Sequence, residues 1–178
     1  MKKILYGATV VSVSLFVVFY SIYKFTDNDV CQILYITFMT FSYHCVMRLI
    51  VGLGIGYVHK GEYNYNAKWF QQRDFEKKLY KKLNVKKWKE KVPAWSPQSF
   101  EAKYHTYDEI VQSMCNAEAV HEIIIVFSFV PILFSLEYGV PIVFIITSVL
   151  AASVDSVFVA IQRYNRPRIV RLISKKER

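Results

Sequence analysis

Cysteine is scarce in this chain and badly placed for chemistry. Its three copies, Cys31, Cys45 and Cys115, show neither disulfide pairing nor metal-ligand spacing. Each lies in or beside an apolar run, so they read as packing residues, and redox chemistry is not expected. Acidic residues are also few: 14 Asp and Glu stand against 23 Lys and Arg, for a net charge of +9. In a soluble protein that balance would point to nucleic acid. Here the basic residues follow topology and anionic headgroups, an attraction worth about 1 kcal/mol per residue near the surface, so nucleic acid is not an expected partner. Internal repeats and low-complexity tracts are missing. A signal cleavage site is missing too: MKK before an apolar run is how secretory signals begin, but this run has the length of a membrane span. Tyr23-Lys24-Phe25-Thr26-Asp27 follows it with no small-residue pattern, and it reads as a retained helix.

What the chain has in quantity is apolar length. Four spans are predicted, at about 4–23, 30–58, 117–136 and 140–162. The apolar core of the third, 123–136, is shorter than the roughly 20 residues a crossing needs. Its helix must therefore start near Ala117, which brings in Glu118, His121 and Glu122. The fourth contains Asp155 and ends on Gln162 and Arg163. The fold class expected is all-α: a polytopic membrane protein of four transmembrane helices plus a cytoplasmic, interfacial amphipathic segment, the whole of 1–178 forming one membrane domain. Short loops rich in Lys and Arg stay in the cytoplasm. Lys2 and Lys3 precede the first span, twelve basic residues lie from Lys60 to Lys103, seven follow from Arg163 onward, and only Lys24 lies on the opposite side. Both termini are expected in the cytoplasm, in a multi-pass protein of the cell membrane.

The polar segment 59–116 is too small and too charged for a core of its own and must lean on the membrane or the spans. In it Trp69, Phe70, Phe75, Leu79, Leu83 and Trp88 recur at three- to five-residue intervals among Lys77, Lys78, Lys81, Lys82, Lys86, Lys87 and Lys89. That is the composition of an interfacial helix, apolar face towards acyl chains and lysines towards phosphates. Asn84 should interrupt it and Pro93-Ala94-Trp95-Ser96-Pro97 should end it. A further helix over 107–116 should follow, with Thr106 as N-cap and Glu109 as its capping-box partner. His59 and His105 read as ordinary interfacial residues.

Ionisable groups inside the spans are the candidates for function. His44 and Arg48, four residues apart on one helix face, sit in an otherwise apolar run, where a cation costs roughly 2.5 to 3.5 kcal/mol and normally faces a protein interior or a wet cavity. With the topology above, His44, Arg48, Glu118, His121, Glu122 and Asp155 all lie towards the cytoplasmic leaflet. The structural competitor is a pairing of His44 and Arg48 with Asp155 or Glu122 that only holds helices together, and the two readings weigh evenly. Glu118-x-x-His121 matches half of a di-metal carboxylate motif, but such bundles need it twice with further glutamates, so no metal is expected.

Near the C-terminal end stands Gln162-Arg163-Tyr164-Asn165-Arg166-Pro167-Arg168. That string, the block from Lys68-Trp69-Phe70 through Trp88-Lys89, and Ala117-Glu118-x-x-His121 resemble the glycosyl-4,4'-diaponeurosporenoate acyltransferase family, over roughly 69–171. The resemblance implies an enzyme of carotenoid biosynthesis that moves a fatty acyl chain to a sugar hydroxyl of a glycosylated C30 carotenoid. The HxxxxD signature of glycerolipid acyltransferases is absent, since neither His44 nor His121 has Asp five residues on. Acyl transfer needs a base for the hydroxyl proton, a group to orient it, and donors for the developing oxyanion. The catalytic candidates are His121 with Glu118 as its orienting carboxylate, and His44 as the rival base. The substrate-binding candidates are Arg48, Glu122, Asp155, Arg163, Asn165, Arg166 and Arg168. Guanidinium suits a donor's phosphates or a lipid headgroup, and Asn165 could donate to an acyl carbonyl. The expected function is a membrane O-acyltransferase acting on a glycosylated isoprenoid or glycolipid, with acyl-CoA or phospholipid as co-substrate and no other cofactor. Membrane lipids are the expected partners, and self-association is compatible with the sequence. The alternatives are a non-catalytic lipid-binding or scaffold protein, or another lipid-modifying enzyme such as a transacylase or hydrolase.

Overall fold

A computed structural model describes residues 2–58, 62–93 and 96–176. The described residues are all-helical, without a strand among them, as predicted. Among the described residues seven α-helices follow in order: α1 Lys2–Thr26, α2 Asp29–Val58, α3 Asp74–Lys82, α4 Val85–Trp88, α5 Tyr107–Phe127, α6 Ser135–Tyr138 and α7 Pro141–Lys176, with short 3-10 turns between some of them. Four stretches are long and apolar enough to cross a membrane: Lys2–Thr26, Asp29–Ile55, Tyr107–Tyr138 and Pro141–Lys176.

Two of these differ from the sequence expectation. The helix expected over 107–116 leads into the third span, as its position predicts, and the two form one unbroken α5. It then ends at Phe127, because Pro131 has no N–H to give, and a 3-10 turn at Val130–Phe134 takes over. The fourth helix does not end near 162; α7 continues to Lys176 and carries Pro167 in its interior. At 36 residues it is about 54 Å long at 1.5 Å per residue.

The chain divides into two compact units, 1–54 with 123–155, and 55–122 with 156–178. In the first, Asp27 turns the chain in the left-handed region (φ 48°), and the side chain of Asn28 accepts the Val30 N–H at 2.8 Å to start α2. Phe144 of α7 packs with Tyr35 and Ile36 of α2, and Phe16, Phe19 and Tyr23 of α1 close over them. Twelve residues beyond Ile36, Arg48 reaches Asp155, eleven beyond Phe144; two contact levels at matched spacing make α2 and α7 parallel. Ile4, Val10, Val11, Val17 and Val18 of α1 stay exposed, as a surface in contact with acyl chains requires.

In the second unit the turn-rich stretch before α3 is tied to α5. Tyr63 N–H donates to Gln112 Oε1 (2.7 Å), Gln112 Nε2 donates back to the Tyr63 carbonyl (3.0 Å), and the Tyr63 hydroxyl reaches Asn116 (3.1 Å). Val111, Cys115 and Ile173 form the core, flanked by Tyr65, Phe70, Ile169 and Val170. The predicted capping box is present: Thr106 N–H donates to Glu109 Oε2 at 2.7 Å and Glu109 N–H to Thr106 Oγ1 at 3.3 Å. The predicted break is present as well, with Asn84 at φ 51° between α3 and α4, a conformation that Asn tolerates better than most residues. Phe75, Leu79 and Leu83 line one exposed face at four-residue spacing, while Glu76 and Tyr80 point inward. Trp95, placed by the sequence in the terminating loop, and His59 lie outside the described residues.

Candidate functional site

The second unit is organised by a five-membered ion network. α7 and α5 run antiparallel: Ile173 meets Val111, Arg166 meets Cys115, Arg163 meets Glu118, and Phe158 meets His121. This register brings two arginines of the QRYNRPR string onto a carboxylate that is fully buried. Arg163 donates Nε to Glu118 Oε1 (2.8 Å), one terminal nitrogen to Glu76 Oε1 (2.6 Å), and the other to the Trp69 carbonyl (2.9 Å) and Glu122 Oε1 (3.3 Å). Arg166, 2% exposed, donates to Glu118 Oε2 and to the Phe70 carbonyl, and its guanidinium lies 5.0 Å from the Phe70 ring centroid. Only the planar, multi-donor guanidinium serves so many acceptors at once, and lysine would leave most of them unmet.

The three blocks of sequence singled out above therefore meet in one object. Glu118 was expected to orient His121, but both of its oxygens are held by arginine. Glu122 Oε2 accepts from Trp69 Nε1 at 2.8 Å. Glu76, which the sequence reading passed over, uses one oxygen for Arg163 and the other for the Arg73 N–H at the start of α3 (2.7 Å). Its position three residues into that helix, behind a polar residue, was the available signal. Tyr80 is buried beside it, and this burial, with the Glu76 charge second, pushes its phenol up to about 12.

His121 stands at the edge of the network, half-buried, its ring stacked on Phe158 at 4.6 Å and 7°. Asn165 lies seven residues after Phe158 on the same face of α7, about 10 Å further along the axis. Its Oδ1 accepts from Lys89 Nζ at 2.7 Å. Tyr164 gathers two cations: Lys89 Nζ lies 5.5 Å from its ring centroid and the Arg168 guanidinium 4.4 Å, with Arg168 also donating to the phenolic oxygen at 2.6 Å. Arg168 is exposed, and no carboxylate pairs with it or with Lys89 among the ion pairs of the described residues. Arg163 and Arg166 are thus internal, whereas Arg168 is exposed and Lys89 partly so.

The other candidates belong to the first unit. Arg48 donates to Asp155, to the Ala151 carbonyl (3.3 Å) and to the His44 carbonyl (3.0 Å). This matches the interhelical pairing weighed in the sequence. His44 is 3% exposed, and neither of its ring nitrogens has a protein hydrogen-bond partner; Ser148 Oγ is in the same state. A buried polar group left unpaired costs about 1–3 kcal/mol.

A family model described as glycosyl-4,4'-diaponeurosporenoate acyltransferase matches residues 66–175. No curated protein and no solved structure matches the chain.

Proposed function

Because the chain belongs to the glycosyl-4,4'-diaponeurosporenoate acyltransferase family, we propose that it transfers a fatty acyl chain to a hydroxyl of a glycosylated isoprenoid at the inner leaflet of the cell membrane, both termini facing the cytoplasm. The family makes it a membrane acyltransferase of carotenoid biosynthesis; the acceptor, the donor and the residue roles are our reading. The observation that carries the reading is the placement of His121. It is the half-exposed imidazole beside a buried ion network, and that network joins every sequence block by which the family is recognised.

In this mechanism His121 takes the proton of the acceptor hydroxyl as its oxygen attacks the acyl carbonyl. Phe158 fixes the plane of the imidazole by stacking. Arg163, Arg166, Glu76, Glu118 and Glu122 do not touch substrate; they hold α5, α7 and the Trp69-Phe70 backbone in register, so that His121 does not drift. The donor's anionic end lies on Lys89, Asn165 and Arg168, about 10–15 Å along α7 from the Phe158 level at 1.5 Å per residue. That separation favours a coenzyme A thioester, whose long arm parts phosphates from acyl group, over a phospholipid, whose phosphate is only a few bonds from its esters. The leaving thiolate recovers the proton held by His121.

The test is turnover of labelled acyl-CoA and a glycosylated C30 carotenoid by the protein in nanodiscs. His121→Ala should abolish labelled product while α-helical content and melting are kept. Full turnover in that variant, with loss in His44→Ala, would move the base to His44.

A further inference from the structure

We infer that the first unit contains a lipid-binding site between α2 and α7, lined by His44 and Ser148, that takes the hydroxyl of a neutral lipid. The site is independent of the transfer reaction proposed above. The contact levels at Ile36–Phe144 and Arg48–Asp155 fix the register of the two parallel helices. Interpolation sets His44 beside residue 151 of α7, one turn from Ser148 on the α2-facing side. Phe144, Ser148, Ala152 and Asp155 are the buried positions of that side. Between the Phe144 ring and the Asp155 carboxylate, the inward side of α7 carries only small side chains, Thr147, Ser148, Ala151 and Ala152.

Small residues alone would make a close helix contact. The unmatched polarity argues otherwise: both His44 nitrogens and the Ser148 hydroxyl are buried without a protein partner. A neutral imidazole has one donor and one acceptor nitrogen, and serine adds a donor with two acceptor lone pairs. A hydroxyl both gives and takes a hydrogen bond and answers this set. A charged headgroup does not suit it, because Arg48 is already matched by Asp155 and a further ion at that depth would stand uncompensated. Arg48 and Asp155 are the charged groups beside His44, and Thr9 of α1 lies against the neighbouring Cys45. The exposed apolar faces of the unit make the bilayer the source of the ligand.

Native mass spectrometry of the delipidated protein, titrated with 1,2-dioleoylglycerol and separately with a monoglucosyl diacylglycerol, tests the site. Each is compared with its O-methylated counterpart, which cannot donate. Binding of either hydroxyl lipid, with about tenfold weaker retention after methylation and a similar loss in Ser148→Ala, is the expected result. The arm that binds identifies whether the hydroxyl is a glycerol's or a sugar's. Ser148→Ala removes one oxygen and no volume to speak of, and unchanged helical content and melting would separate lost binding from lost fold; His44→Leu serves as the second variant. Retention that is equal for the free and methylated lipids, or equal in wild type and both variants, would overturn the site. So would an experimental map showing only water between His44 and Ser148.

Discussion

Glu118→Gln tests whether the buried carboxylate works as structure or as chemistry. The substitution keeps shape and removes charge. Arg163 still has Glu76 and Glu122, but Arg166, 2% exposed, loses the only carboxylate it meets among the described residues. Uncompensating one member of a buried ion pair costs about 3–5 kcal/mol. Since about 1.4 kcal/mol is a factor of ten, local opening of the second unit should become roughly a hundred to four thousand times more frequent. Hydrogen exchange of the 62–82 region, whose carbonyls at Trp69 and Phe70 the two arginines hold, should accelerate by that factor, while residues 30–50 keep their protection. Glu76→Gln should cost less, about 1.5–3 kcal/mol as a charged hydrogen bond, because its partner retains two other carboxylates. If Glu118→Gln loses turnover while exchange of 62–82 stays within threefold of wild type, the network is not what holds the unit, and Glu118 acts on substrate or base directly.

Three other outcomes follow from the same geometry. Lys89→Gln and Arg168→Gln should each raise the KM for the acyl donor about tenfold with little change in kcat, whereas Arg163→Gln should lose folded protein; a kcat effect without a KM effect at Lys89 and Arg168 would refute the donor site. Asp155→Asn should lower the yield of extractable protein by leaving Arg48 without a counter-charge, and the pair Arg48→Leu with Asp155→Leu should restore it; no restoration would mean the pair does more than hold helices. The Tyr80 phenol is raised in the folded protein, so its contribution is fully present below pH 10 and lost as pH rises to about 12. Exchange of α3 should therefore accelerate across that window, and in Tyr80→Phe the step should vanish.

The spans were legible because length and apolarity are properties of consecutive residues. So were the Thr106–Glu109 cap and the break at Asn84, which depend on neighbours three residues apart or fewer. The continuation of α7 past the apolar span and through Pro167 was not legible, since apolarity ends near 162 and a proline carries a local cost in a helix. Arg163 and Arg166, in the turn before it, are anchored to Glu118 and Glu76, and those tertiary bonds outweigh the one intrahelical bond that proline removes. The role of Arg163 and Arg166 could not be read either. An arginine bound for phosphate and one bound for a carboxylate 45 or 87 positions away look the same in sequence until the register of α5 against α7 is known. His44 was singled out in the sequence, but that it and Ser148 stand without a protein partner is something only packing reveals.

The order of the network along the chain bears on how the protein is made. Glu76, Glu118 and Glu122 leave the ribosome well ahead of Arg163 and Arg166, so for part of synthesis three acids wait without the cations that answer them. The second unit cannot close early around a partial set. A nascent chain stalled before Arg163 would display unpaired carboxylates and open backbone at Trp69 and Phe70, marks by which quality-control proteases could tell an unfinished molecule from a finished one.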